Sequence, residues 1–371
     1  MRGLAFGFFV ILAGCSSAPS GPRPASLPPL GNPQEVRLLW SARVGDADRF
    51  SFGPALAGGS IYAAGRDGSV TRFDAASGRV LWSAETETRL SGGVGADTHT
   101  VAVASEEGEV VALDAETGKL RWRARVSSEV LAAPAIGRGL VVVRSMDNRV
   151  FAFDAEDGKR RWVYQRPAGP LAVRTPAGAV IQGDTAYAGF RGGKLVALAL
   201  SNGGLRWEAT VALPKGTTEL ERVTDVVGDP VVQGQEVCAA AYQGKVACYE
   251  AASGRQLWAR DVSSLTGVSL DARYAYVSDE RGSVQAFDRS NGRSVWKQDR
   301  LALRRLSLPL PAGNAIAVAD FEGYVHFLAR DSGAFLARHS TGGGAVRAAP
   351  IALPSGLLVQ TQNGGLHALS L

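Results

Sequence analysis

The sequence is poor in the residues that most often carry chemistry. Three cysteines and four histidines are spread over 371 residues, and none stands in a His-x-x-x-His or Cys-x-x-Cys spacing, which excludes the common zinc and dithiol motifs. No glycine-rich loop follows a strand pattern and opens a helix, so the usual phosphate cradle is missing. Lysine and arginine never gather into blocks: the net charge of +5 is spread along the chain, which argues against nucleic acid as a partner. The apolar run from Leu4 to Ala13 is too short to cross a bilayer. The 46% hydrophobic and 20% charged content is that of a soluble globular protein with ample surface for a core.

What is abundant is repetition. The pattern Gly-x-Val-x-Ala-Phe/Leu-Asp-x-x-x-Gly-x-x-x-Trp runs from Gly68 to Trp82, Gly108 to Trp122, Asn148 to Trp162, Gly193 to Trp207, Gly244 to Trp258 and Gly282 to Trp296. Degraded copies follow from Gly323 to Ala337 and from Gly364 onward. Eight copies at a period of about 40 residues predict a propeller-type array. Apolar alternation such as Val110 and Ala112 against Val111 and Leu113 has period two, the mark of a strand. The leading glycine supplies the positive φ of a hairpin turn, with Asn148 as its substitute. Asp74, Asp114, Asp154 and Asp288 open the next turn, where a carboxylate accepts backbone amides. A proline stands fourteen residues before five of the hairpin positions (Pro54, Pro134, Pro230, Pro309 and Pro350). Lacking a ladder donor, it belongs at strand starts and edges, as on an innermost strand.

The last copy ends at Leu371 before any Trp-bearing strand, whereas Leu38-Leu39-Trp40-Ser41 is such a strand with no repeat before it. The expected fold is all-β: an eight-bladed β-propeller of four-stranded antiparallel blades over 36–371, closed by the N-terminal strand completing the last blade. This places Trp40, Trp82, Trp122, Trp162, Trp207, Trp258 and Trp296 on outer strands, docked against neighbouring blades. Ala337 takes the eighth position, where a looser contact is expected. Cys238 and Cys248 lie symmetrically about Gln243 in one predicted hairpin. They are either a disulfide, as an exported protein can keep, or two small buried residues.

At the N-terminus, Leu12-Ala13-Gly14-Cys15 resembles the bacterial lipobox. The resemblance implies a signal peptide over 1–14, removed in the mature protein, and a lipid anchor on Cys15. Ser16 resembles the residue found after that cysteine in lipoproteins sent to the outer membrane. Residues 15–35, rich in Pro, Ser and Gly, read as an extended linker that lets the globular part move relative to the membrane.

Regularity breaks in two consecutive connectors. Trp162 to Ala179 takes 17 residues and Trp207 to Pro230 takes 23, against roughly 10 to 14 elsewhere; insertions in repeat proteins map to loops of one face. The first connector holds Leu171, Val173 and Arg174, and the second holds Glu219, Leu220, Glu221, Arg222, Asp225 and Asp229. Apolar residues with arginine and carboxylates on a rigid scaffold predict a protein-docking patch.

Two resemblances bear on function. The Asp-x-x-x-Gly-x-x-x-Trp element resembles the tryptophan-docking motif of the quinoprotein alcohol dehydrogenases, so a periplasmic quinoprotein-like dehydrogenase is one alternative and a small-ligand-binding propeller another. Those enzymes have an adjacent cysteine pair and a calcium site. Here Cys15, Cys238 and Cys248 are apart, and the repeated aspartates belong to different blades. The reading is therefore of a non-enzyme with no catalytic residues, no metal and no cofactor. Lys215-Gly-Thr-Thr-Glu-Leu-Glu-Arg-Val-Thr-Asp225, Phe321-Glu-Gly-Tyr-Val-His-Phe327 and the lipobox resemble the BamB family, lipoproteins of the machine that inserts β-barrels into the outer membrane of Gram-negative bacteria. The resemblance implies a scaffold, lipid-anchored at the periplasmic face of the outer membrane. Its implied partners are the POTRA domains of the insertase BamA, other barrel-assembly subunits and unfolded outer-membrane proteins. Leu171-Ala-Val-Arg174 matches the family's Leu-x-Leu-Arg docking segment with Val173 for the second leucine. Asp225 matches the first residue of its Asp-x-Asp pair, while Val227 replaces the second and Asp229 stands two residues on. Arg174 is expected to meet a partner carboxylate or carbonyl, Leu171 and Val173 to fill an apolar depression, and Asp225 to orient a partner cation or Arg174.

Overall fold

The period-two runs become strands and each repeat becomes a blade. The computed structural model describes residues 22–167 and 171–371; the segment expected to be a signal peptide, residues 1–14, and Cys15 lie outside the described residues. Eight four-stranded antiparallel sheets follow one another. Blades I to VII span 55–85, 95–125, 135–165, 179–210, 226–261, 269–298 and 310–340. Blade VIII takes three strands from 351–370 and its outer strand from Arg37–Arg43, which pairs with Gly365–Ser370. The ring is an eight-bladed β-propeller closed by its N-terminal strand.

Up-and-down order within a blade puts the first and third turns on one face. The second turn and the connector to the next blade lie on the other, called here the connector face. The second strands, such as Ser60–Ala64 and Thr100–Ala104, are buried along their whole length. They are sandwiched between apolar clusters that each join two neighbouring blades.

Each tryptophan locks one blade to the next. The Trp122 indole N–H donates to the Ala155 carbonyl at 3.0 Å, and its ring lies where a Cβ on Gly158 would fall, 2.6 Å from Cδ2. Gly158 has φ 73°, so both backbone conformation and space require glycine there. The same lock joins Trp40 to Ala75, Trp82 to Ala115, Trp162 to Leu200, Trp207 to Ala251, Trp258 to Arg289 and Trp296 to Arg330. The turn that receives the indole is shaped by its aspartate: Asp114 accepts the Thr117 amide at 2.9 Å. Hydrogen bonds from Arg121 and Thr117 hold the Asp114 carboxyl down at about 2.

Four expectations are corrected. Ala337 is not loosely packed but fully buried, among Val325, Phe327, Leu357 and Leu369. No indole is needed there, because the third and outer strands of blade VIII come from opposite ends of the chain and form no turn to receive one. The leading-glycine rule fails in blade V, where Gln243 rather than Gly244 takes the positive φ, at 47°. Pro54, Pro134, Pro309 and Pro350 directly precede inner strands, but Pro230 lies inside Val226–Gln233. A register shift between Val227 and Val231 accommodates it, as a bulge does for a residue without an N–H.

The fourth correction concerns the linker. The Ala25 amide donates to the Ala302 carbonyl and the Gln34 amide to Leu336, both at 2.9 Å, and Pro28 is buried. This part of the predicted linker is seated along the outer edge of blade VII. Cys238 and Cys248 are cross-strand partners joined by a disulfide, which decides between the two readings of that pair.

Candidate partner-docking face

The two long connectors reach the connector face side by side and are fastened into one unit. Asp225 does the fastening. Its carboxylate accepts the Val173 amide at 2.7 Å and the Gly192 amide at 3.2 Å, and the residue is 5% exposed. Asp229 accepts the Gly178 amide at 2.7 Å, and the Gly228 amide donates to the Pro176 carbonyl. Asp229 keeps solvent-exposed area on the bulged inner strand, yet the protein crowding around it raises its carboxyl pKa. Beneath the first connector, Arg144 donates to the Ala177 carbonyl at 3.0 Å. Its burial lowers the guanidinium to about 10.

Asp225 therefore does not present a carboxylate to solvent, and it does not orient Arg174. Its two acceptor oxygens are spent on backbone amides that would otherwise go unpaired, and the consequence is a fixed path for Val173 and its neighbours.

Arg174 instead reaches toward blades II and III. Its guanidinium contacts Glu129 at 2.5 Å and Glu106 at 3.9 Å, and it lies 5.6 Å from the centre of the Phe50 ring. The hydrogen bond Arg174 donates to Glu129 raises the Arg174 pKa. Arg66 and Arg49 also flank Phe50, at 4.5 and 4.9 Å, and both pair with Glu106. Burial pushes the Glu106 carboxyl up, but Arg66 and Arg49 outweigh it and hold the group below its ordinary value. With 46% of its side chain exposed, Arg174 is oriented by the ring while keeping donors free for another surface.

The second connector is shaped around a single helical turn. The Thr218 hydroxyl accepts the Glu221 amide, and Glu221 accepts the amides of Thr217 and Thr218 at 2.8 and 3.0 Å. This reciprocal pairing is a capping box, and it holds the Glu221 carboxyl below its usual range through the two amides. The Gln243 side-chain amide, with its nitrogen toward the Glu221 and Val223 carbonyls, ties the turn to blade V. The result is that Leu220 projects 73% exposed, with Leu213 at 64% and Leu171 at 44%. Glu219 and Arg222 flank Leu220, exposed and without an ion pair among the described residues.

Of the sequence-predicted residues, Leu171, Arg174, Glu219 and Arg222 are exposed, Val173 is half-buried, and Asp225 and Asp229 hold backbone. Phe50, Arg49, Arg66, Glu106, Glu129 and Leu213 escaped the sequence reading. The first five come from connectors and turns of ordinary length in other blades, where only the ring brings them beside Arg174. Leu213 lay within the flagged connector, but nothing in sequence separates an exposed leucine from a packed one. Among the described residues no group of three His, Cys, Asp or Glu side chains is placed to hold a metal ion.

Comparison with known proteins agrees with this architecture. The family model described as "Outer membrane protein assembly factor BamB" matches residues 66–298. The protein of that name from Bordetella pertussis is 47% identical over 359 residues, covering 96% of this chain and 93% of the relative. The one from Pseudomonas aeruginosa is 43% identical, covering 97% and 96%. The crystal structure of BamB from Moraxella catarrhalis superposes with a TM-score of 0.83 at 27% identity, over 91% of this chain and all of that one. A quinohemoprotein alcohol dehydrogenase from Pseudomonas putida superposes with a TM-score of 0.70 at 14% identity, over 91% of this chain and 76% of that one. That likeness is one of fold alone. Ring closure, repeat and near full-length relatives agree, and the chain belongs to the BamB family of outer-membrane protein assembly factors.

Proposed function

We propose that this protein is a non-catalytic scaffold of outer-membrane β-barrel assembly, held at the periplasmic face of the outer membrane by a lipid on Cys15. Its connector face docks on the POTRA domains of the BamA insertase. The observation that supports this reading is the fused pair of long connectors, one exposing Leu171 and the Arg174 guanidinium and the other exposing Leu213 and Leu220. Exposed apolar anchors ringed by oriented charge are what a protein partner needs. Val173 and Asp225 contribute indirectly: they fix the loop that carries Leu171 and Arg174. Glu219 and Arg222 supply rim charge, which acts on association rate and register more than on affinity.

Arg174 would meet a carboxylate or backbone carbonyl of the partner, while Glu129 and Glu106 keep its fork turned outward. Arg174→Glu should abolish co-purification with the insertase and leave the β-sheet circular dichroism unchanged. Retained co-purification would sink this assignment.

A further inference from the structure

The N-terminal segment is held by a built seat. Arg304 donates to the Ala25 carbonyl at 3.0 Å and Arg338 to the Pro28 carbonyl at 2.9 Å. Both arginines are fixed from behind. Arg304, only 3% exposed, pairs with the fully buried Asp320 at 2.7 Å and with Glu322. Arg338 donates to His326 Nδ1 at 3.1 Å, and His326 Nε2 meets the same Asp320 carboxylate at 3.0 Å. Burying the Arg304 guanidinium, the His326 imidazole and the Asp320 carboxylate is costly unless each is paired. Here carbonyls of the segment itself accept one donor from each arginine.

Its direction matters as much as its attachment. The outer strand of blade VII, Phe335–Ser340, starts at the Asp-x-x-x-Gly turn face and ends at the connector face. Gln34 pairs with Leu336 near the start of that strand, Pro28 is held by Arg338 nearer its end, and Ala25 pairs with Ala302 in the connector between blades VI and VII. The segment thus climbs from the connector face at Ala25 to the turn face at Gln34. The chain preceding Ala25 is therefore delivered to the connector face.

We propose that residues 25–34 are a strap, latched by Arg304 and Arg338, that turns the connector face toward the lipid surface. This rests on the lipid-anchor reading of Cys15. Strapped, Cys15 is separated from the latch by nine residues, Ser16 to Pro24, a covalent span of at most about 30 Å. Released as far as Gln34, the chain would reach roughly 65 Å and could present either face. The strap thus converts a tether on the blade VII side of the ring into an orientation of the whole ring, and it keeps the Arg174 and Leu220 loops near the bilayer.

The test uses the full lipidated protein reconstituted in vesicles that carry an acceptor-labelled lipid. With Cys15 acylated and Cys238 and Cys248 bonded, one introduced cysteine takes the donor dye: Leu220→Cys on the connector face, or Ser201→Cys on the turn face of blade IV. Energy transfer to the bilayer should be larger from position 220 than from position 201. Pro28→Asp, which buries a charge in the seat and leaves the ring untouched, should abolish the difference; Arg338→Ala should do the same. Hydrogen exchange reports the latch independently: the Ala25 and Gln34 amides should be protected in the unaltered protein and exposed in both variants. Equal transfer from the two positions in the unaltered protein would overturn the proposal. So would a difference that survives when exchange shows the strap released, or amides that stay protected in both variants. If instead the protein fails to float with the vesicles, the lipid-anchor reading has failed.

Discussion

The Val173 amide donates to the Asp225 carboxylate at 2.7 Å across fifty-two residues of chain. One buried side chain thereby sets the path of the loop that carries Arg174, and the first prediction follows from it. Asp225→Ala strands the amides of Val173 and Gly192, which should cost about 1–3 kcal/mol in urea unfolding. It should also weaken capture of the insertase even though the exposed docking side chains are unchanged. Full binding by a destabilised Asp225→Ala protein would show that the loop's path does not matter.

Leu220 should behave in the opposite way. It is 73% exposed, so Leu220→Asp should shift stability by no more than about 0.5 kcal/mol. If it is an anchor, binding to the POTRA domains should weaken by about 2 kcal/mol. Calorimetric titration of the variant against the isolated POTRA segment reads this directly; unchanged affinity would remove Leu220 from the interface.

The indole lock predicts paired effects at Trp122 and Gly158. Trp122→Ala should destabilise by about 3–5 kcal/mol through the lost ring. Gly158→Ala, at φ 73° with its new Cβ 2.6 Å from the indole, should cost more than about 1 kcal/mol. Because both act on one joint, the double variant should cost less than the sum in denaturant titrations.

Acid should loosen the ring through one buried imidazole and two half-buried ones. Burial depresses the pKa of His326 from 6.5, outweighing the Asp320 carboxylate; burial alone depresses His339, and burial assisted by His339 depresses His367. A depressed folded-state pKa means the unfolded chain binds more protons. The stability contribution is therefore complete above about 6.5 and is lost as pH falls from there through the folded-state values. His326 adds a geometric reason, since its Nδ1 accepts from Arg338 and cannot also carry a proton. Thermal midpoints measured from pH 7.5 downward should fall below pH 6.5, and His326→Gln should flatten the curve; a slope unchanged by that substitution would exclude His326 as a contributor.

Reduction of the Cys238–Cys248 bond should lower stability by about 3 kcal/mol. The pair bridges the second and third strands of blade V, whose connecting turn carries Gln243 and its hold on the Glu221 turn. Cys238→Ala with Cys248→Ala should thus increase hydrogen exchange around 218–223; no change there would uncouple the clip from the docking loop.

The blades were legible because each strand carries its own period and each turn its own Asp and Gly, all of it local information. The two long connectors were legible for a similar reason, as they broke a count. Phe50, Glu106 and Glu129 were not legible, since their meeting with Arg174 depends on closing the ring and no local signal records it. Asp225 was visible as a residue, but its orientation was not: an aspartate in a long polar loop gives no sign that two backbone amides will enclose it. The Pro-rich segment misled for the converse reason. Its composition is that of a linker, and what seats it is Arg304 and Arg338, some three hundred residues away.

The one joint without an indole, between blades VII and VIII, is also the joint the strap crosses. Gln34 hydrogen-bonds blade VII, Val36 packs into the cluster shared by the two blades, and from Arg37 the chain is blade VIII. A pull on the chain ahead of Ala25 therefore meets the arginine latch first and reaches the closing strand only after that latch fails. The strap works as a strain relief, like the clamp on a cable, that spares the ring's seam a force applied from the N-terminal side.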